Sequence, residues 1–527
     1  MARGCLCLVL HAHLPFVRHP EFDEFLEEDW LFEAITETYI PLLQVLEGLE
    51  QDGIDYRLTI SISPTLAAML SDALLQERYL RHLDNLVDLA HREIERTRWI
   101  KQLNRLAKMY AERFEQSRDF FSDRHGGDLL RAFAHAGSTG CVELITCPAT
   151  HGYLPLMTSP RSTWAQIEMG CREFDRHLGH RPRGIWIPEC GYVHGLDQQL
   201  RDAGIDYFFT ETHALLFSKP RSLHGVYAPI RCPDSGLVAA ARDFESTRQV
   251  WSSVEGYPGD PAYRDFYRDV GYDLEYGYLR PHLHRPGLRS QTGVKYHRIT
   301  GRTDDKDLYD PELAMAKARE HAADFVRHRR QQVQWLEEQL AGQLPIIVAP
   351  YDAELFGHWW YEGPEWLNSV LRDIAEDRDS LETITIPEYL ERSRELQISE
   401  PGVSSWGANG YNQVWLDHSN DWIYPHLHAM EAKMIDLART HADATGPMRR
   451  ALNQAARELM LAQSSDWAFI MSNGTATEYA TQRTQTHVVS FDYLAQQIEA
   501  ARVDESWLRE IESRHNCFPT IDYRLYA

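Results

Sequence analysis

The sequence predicts an α/β fold, and three observations carry that prediction. Short apolar runs with strand character alternate with amphipathic helical stretches, each run ends in polar residues capable of chemistry, and the chain turns mainly helical after about residue 397. Strands alternating with helices build βα units around a parallel sheet. Polar residues gathered at strand C-termini mark the mouth of a (β/α) barrel. A doubly wound open sheet places ligands at the same edge, so the residues alone leave both architectures open.

Four runs are the clearest strands: CLCLVLHAHLP (5–15), VELITCPATHGY (142–153), GIWIPECGY (184–192) and LPIIVAPYDAELFGHWW (344–360). YRLTISISP (56–64), YFFTETH (207–213) and TITIP (383–387) are further candidates. Helices are expected over 163–178 and 314–340, where apolar positions recur with helical spacing. Residues from about 66 to 135 are highly charged and read as a helical insertion, a coiled hairpin beside the sheet. The insertion interrupts a catalytic unit of residues 1–396. Helical patterns at 430–442, 448–463 and 491–501 define a separate C-terminal domain, 397–527. Within it SSDWAFI (464–470) is unusually polar and aromatic for helix packing, and it is expected to reach back toward the site.

A chain of 527 residues calls for two or three structural units. Its 54 Lys and Arg against 78 Asp and Glu give a net charge of −24, a field that repels nucleic acid and anionic membrane and favours a neutral or cationic ligand. No stretch approaches the ~20 uninterrupted apolar residues of a membrane span. MARGCLCLVLHAHLPF lacks a small-residue cleavage site and reads as a buried first strand rather than a signal peptide, which makes the cytoplasm the expected compartment. The 8 cysteines form no CxxC pair and no zinc-finger spacing, so reduced buried thiols are expected. The 14 Trp and 25 Tyr suit sugar rings, which have an apolar face and a hydroxyl edge, although most such aromatics serve as core.

Glu189, behind Pro188 at the end of one apolar run, and Asp352, at the equivalent place in another, form a plausible nucleophile and acid pair. Aromatics after Asp352 (Phe356, Trp359, Trp360) predict partial dehydration, which raises a carboxyl pKa as a general acid requires. A separation of about 5–5.5 Å would indicate a retaining glycosidase and a wider gap an inverting one. His11 and His13 alternate on one strand face, and His151 follows another strand. Three imidazoles at one mouth would either bind Zn²⁺ or hydrogen-bond sugar hydroxyls. Trp251, in QVWSS beside SSVEGYPGDP (252–261), and the segment KYHRIT (295–300) are weaker candidates. Trp406 and Trp415 lie in a Gly/Asn-rich loop, where tryptophan suits ligand stacking. There is no P-loop, no dinucleotide glycine fingerprint and no GxSxG elbow.

HAHLP, CPATHGY, WIPECGY, YDAELFGHWWYEGP and SSDWAFI occur in this order and at these distances. Together they resemble the five signature regions of glycoside hydrolase family 57, most closely in its 1,4-α-glucan branching enzymes, over nearly the whole chain. VWSS…GYPGDP and SWG…VWL resemble that subgroup. The resemblance implies a (β/α)7 pseudo-TIM barrel with an inserted helical domain and a C-terminal α-helical domain that completes the site. It implies a retaining double displacement on α-1,4-glucan with no metal and no organic cofactor. By motif it makes Glu189 the nucleophile and Asp352 the acid/base. His11, His13 and His151 would line the subsite at the scissile bond, with Asp466 nearby, and Trp360, Trp406 and Trp415 would stack on glucan. The family's branching enzymes carry a loop tyrosine that aids transfer. In LLFSKPRSLHGVYAP (215–229) the matching position is His224, with Tyr227 three residues on. That departure keeps an α-glucan hydrolase or 4-α-glucanotransferase open as the alternative activity.

Overall fold

The computed structural model describes residues 2–252, 255–283, 287–340, 342–393 and 395–527. Ser253 and Val254 of the SSVEGYPGDP stretch lie outside the described residues. Nine strands form two sheets: β1 (Cys5–Ala12), β2 (Leu58–Ile62), β3 (Val142–Ile145), β4 (Gly184–Trp186), β5 (Tyr207–Thr210), β6 (Ile230–Arg231), β7 (Val238–Ala241), β8 (Ile346–Asp352) and β9 (Glu382–Thr383). The first sheet runs β3-β2-β1-β8, with β9 also on β1, and the second runs β4-β5-β7-β6. All pairings are parallel except β6 with β7. The sheets meet where Trp186 N donates to Thr146 O (2.8 Å), and again where Asp243 N donates to Val348 O (2.8 Å).

Side-chain alternation explains why the polar ends converge. On β1, Cys5, Cys7 and Val9 enter one buried cluster, while Leu6, Leu8 and Leu10 enter another. The first cluster also receives Ile145, Trp186, Phe209, Val238, Ala240, Ile346 and Val348, alternate residues of the surrounding strands. A period of two carries this inward face on to His11 on β1 and Asp352 on β8. Those two residues are register partners. Both Cys5 and Cys7 point inward as expected, and all eight cysteines are free. The expected strand TITIP is only the two-residue β9, followed by the helix Ile386–Arg392, which a Thr385–Glu388 capping box starts. Two strands were missed: the two-residue β6 is too short to give a signal, and β7, LVAAA in sequence, carries alanines that give no strand signal.

The charged insertion is helical as expected, with helices Ala73–Thr97 and Lys101–Asp119 forming the hairpin and Leu129–Ser138 returning to β3. A second excursion, from about residue 255 to 310, packs on that hairpin. Tyr278 and Tyr296 donate to Glu93, and Tyr110 donates to Lys295 O. The C-terminal region is helical: Ile423–Thr440, Gly446–Ala462, Ser465–Asn473, Thr477–Glu499 and Glu505–Arg514. Among the described residues no helix is long and apolar enough to cross a membrane.

Candidate active site

The inward strand face ends in a hydrogen-bonded histidine cluster. His11 places Nδ1 3.1 Å from Ser61 Oγ and Nε2 3.0 Å from His151 Nε2. One of those two Nε2 atoms donates and the other accepts, so the accepting ring is neutral. Burial, reinforced by the neighbouring imidazoles, holds His11 and His151 well below the usual histidine pKa. His11 also stacks on Trp186, with centroids 4.9 Å apart. His13 differs. Burial works against its charge, but Asp466, 3.0 Å from Nε2, outweighs that and raises its pKa. Burial likewise opposes ionisation of Asp466, yet His13 holds it down at about 2.

Glu189 sits beside this cluster in a strained turn. Glu189, Cys190 and His151 all have positive φ (62°, 51° and 55°), a left-handed backbone costly for residues with a side chain. The Glu189 carboxylate accepts from Trp406 Nε1 (2.7 Å) and from Ser465 Oγ (2.8 Å). Ser465 also bonds His151 Nδ1 at 2.8 Å. Burial pushes the Glu189 carboxyl up to about 7, against the two donors, which favour its charged form.

Asp352, half-buried at the end of β8, has a contrasting environment. Among the described residues no hydrogen bond to its carboxyl is found. Burial first, then the negative charges of Glu354 and Glu189, raise its pKa well above the ordinary aspartate value, and Arg242 offsets this in part. Glu354 accepts from His13 N (3.1 Å) and from the Tyr39 hydroxyl. Arg242, two residues of inward parity beyond Ala240, pairs with Glu211 at 2.7 Å. Sequence reasoning missed Ser61, Trp186, Glu211, Arg242, Glu354 and Ser465. Strand parity could have found Ser61, and SSDWAFI contained Ser465.

The predicted site residues therefore divide. Glu189, Asp352, His11, His13, His151, Asp466 and Trp406 converge, with Trp406 serving as a donor to Glu189. Trp415 is buried with its ring stacked on Tyr153, centroids 4.4 Å apart. Trp360 is buried among Tyr263, Phe356 and Trp366, so its face is closed to a ligand. Its neighbour Trp359 is the exposed one, stacked on Phe266 at 4.4 Å. Trp251 ends the helix Phe244–Trp251 and is about half exposed. In the KYHRIT segment, Lys295 lies over the Phe266 ring and Tyr296 bonds Glu93, structural roles in the excursion.

The loop expectation needs correction. Tyr227 O accepts from Ile346 N at the start of β8, and Tyr227 N donates to His224 O. Seven residues of β8 at ~3.3 Å each put that end about 20 Å from Asp352. His224 and Tyr227 thus lie at the opposite ends of the strands from the carboxylates. Sequence distance to the nucleophile could not reveal that the loop descends after Leu216.

His13, His151 and Asp466 offer atoms within 4.8 Å of one another, a set able to surround a metal ion. The fit is poor, because His151 already spends Nε2 on His11 and Nδ1 on Ser465, while Asp466 accepts from His13 and Ser464. Coordination would break these bonds. The arrangement suits a hydroxyl-rich substrate and two carboxyls of unequal proton affinity.

The chain matches glycosyl hydrolase family 57 over residues 7–403 and a 1,4-alpha-glucan branching enzyme C-terminal family over residues 426–526. It is 32% identical to a 1,4-alpha-glucan branching enzyme of Thermococcus kodakarensis, over 98% of this chain and 77% of that protein. It is also 32% identical to a probable 1,4-alpha-glucan branching enzyme of Mycobacterium tuberculosis, over 96% of this chain and 95% of that protein. Among solved structures it resembles the alpha-amylase AmyC from Thermotoga maritima (TM-score 0.93, 46% identity, 100% of this chain and 99% of that one). It resembles the branching enzyme of Pyrococcus horikoshii with TM-score 0.88 and 33% identity, over 99% of this chain and 97% of that one.

Proposed function

The chain belongs to glycosyl hydrolase family 57, and from that premise we propose that it is a 1,4-α-glucan branching enzyme working by a retaining double displacement. The observation that carries the mechanism is the asymmetry of the two carboxyls. Two hydrogen-bond donors favour ionised Glu189, the state of a nucleophile, whereas Asp352 lies without such donors among like charges, the state of an acid. Asp352 gives its proton to the glycosidic oxygen of an α-1,4 bond while Glu189 attacks the anomeric carbon, forming a covalent glycosyl ester. A glucan 6-hydroxyl then yields its proton to Asp352 and displaces Glu189, which leaves an α-1,6 branch. His11, His13, His151 and Asp466 hold the sugar hydroxyls at the reacting unit, and Trp406 fixes Glu189 while presenting part of its ring. The match over 426–526 and the names of the 32%-identical relatives support branching as the outcome.

Strand alternation around one inner cluster, with backbone bonds at both seams, supports reading the two sheets as one (β/α)7 barrel of β1–β5, β7 and β8. The free cysteines support a cytoplasmic place for the protein. A second reading is α-glucan hydrolysis, which the likeness to AmyC favours. Water in place of the 6-hydroxyl gives that result. The His224 argument no longer adds to it, since that loop lies away from the carboxylates. Incubating the protein with amylose while counting α-1,6 linkages by proton NMR and assaying reducing ends separates the two. Branches with few new reducing ends support branching, and reducing ends without branches overturn it.

A further inference from the structure

The helix Thr477–Glu499 buries Tyr479, His487 and Phe491 against the rest of the C-terminal region and turns another face outward. That outer face borders a shallow, open groove of about 500 Å³, lined by Gln482, Gln485, Thr486, Val489 and Ser490 and bounded at one end by Tyr493 and Trp507. Two features set it apart. None of its lining side chains is charged, on a chain of net charge −24 and on a surface helix, where charged residues are the norm. The two aromatics meet edge to face, centroids 4.7 Å apart at 90°, with Tyr493 42% exposed. Trp507 is held in place because its backbone N donates to the Asp504 cap, whose own N donates to Gln497. The corner is thus preorganised before anything binds.

We propose that this groove, none of whose lining residues belongs to the candidate active site, is a second binding site for a segment of α-1,4-glucan chain. The proposal rests on the α-glucan reading of the active site. An uncharged polymer with apolar pyranose faces and hydroxyl edges matches an aromatic corner followed by amides and hydroxyls. Gln482 to Tyr493 spans about 16 Å of helix, room for several glucose units in line. A groove of this kind tethers a long polymer to the enzyme without touching the reaction, so it acts on long chains and not on short ones.

The test uses the full-length protein, with amylopectin in native gels as the probe, and the variants Tyr493→Ala and Thr486→Arg. The second blocks the groove while leaving the aromatic pair packed. Each is expected to weaken retention about tenfold and to raise KM for long amylose, with kcat/KM on maltoheptaose unchanged. Unaltered retention in both variants overturns the proposal. So does a fall in the oligomer size of the variants at constant retention, which would assign the face to a second copy of the chain. A wild-type protein that makes neither branches nor reducing ends from amylose would overturn the α-glucan reading itself. Wild-type activity with unaltered variants removes only the groove.

Discussion

Glu189 and Asp352 share a buried setting but not their partners, and that difference is open to mutation. Glu189→Gln and Asp352→Asn should each lower kcat by at least ~10³, because each removes a group that forms or cleaves a bond. Near-normal turnover in either would sink the assignment. Ser465→Ala makes a finer test. A donor to a carboxylate lowers its pKa, so losing Ser465 raises that of Glu189 above about 7. The nucleophile must be ionised, so the acid limb of the kcat/KM profile should move to higher pH, with activity recovering at alkaline pH. An unmoved limb would mean that Ser465 serves His151 alone. Trp359 and Trp360 can be separated in the same way. Trp360→Ala should cost roughly 3–5 kcal/mol of stability through the cavity it leaves. Trp359→Ala should leave the melting temperature unchanged and weaken chain binding instead. Neighbours in one loop look alike in sequence. Only packing tells which ring is core.

At the scale of elements, the site depends on a loop and a helix far apart in the chain. Asn420, fully buried, donates to Val414 O (2.9 Å) and Ala468 O (3.0 Å), tying the 404–417 loop to the helix that carries Ser465 and Asp466. Ser472 adds a bond to Asp417 at 2.7 Å. Asn420→Ala strands two carbonyls and should cost about 1–3 kcal/mol by urea denaturation. Unchanged stability would show the tie to be incidental. Gly357 shows the same economy on the other side. Its φ is +111°, and a Cβ there would overlap the Glu37 carbonyl oxygen, so only glycine lets the segment after Asp352 turn. Much of this was legible in sequence. Apolar runs gave seven of the eight strands in parallel pairings, β9 only in part, and the odd polarity of SSDWAFI pointed to a helix that reaches the site. What stayed hidden has physical reasons. The alanines of β7 lack strand propensity, and Arg242 and Ser465 acquire partners only through contacts that cross the fold. The descent of the 217–229 loop is set by its bonds to Ile346 and Gln397 rather than by its own residues.

Over the whole molecule, opposing titrations shape stability. Burial lowers His19, His177 and His487 to about 4, 4 and 3, so below pH ~6.5 the unfolded chain binds protons that the folded chain does not, and these groups cost stability as pH falls. Burial raises Glu33, Glu143 and Glu189 to about 7, so the folded chain holds protons that the unfolded chain has lost above pH ~4.5, and these groups favour folding as pH falls. His11 and His151 add to the first set and Asp352 and Glu354 to the second, so the two sets oppose each other between those two pH values. Below about pH 4.5 the lowered histidines are joined by carboxyls held below their usual range, Glu21 and Asp466 at about 2 with Glu37 and Glu458 also lowered, which add loss in the same direction. Melting temperature should therefore be nearly flat from pH 6.5 to 4.5 and fall steeply below. A steady decline across the upper range would show that the buried carboxyls do not retain their protons.

The two sheets divide the proposed catalytic pair between them. Glu189 follows β4 in one sheet and Asp352 ends β8 in the other, and the backbone bonds described at the seams are sparse, Trp186 to Thr146 and Asp243 to Val348. The molecule is built like a vise with one reagent set in each jaw. A substitution at either joint would therefore bear on the gap between the two carboxyls, since Trp186 and Val348 lie three and four residues from them in the chain.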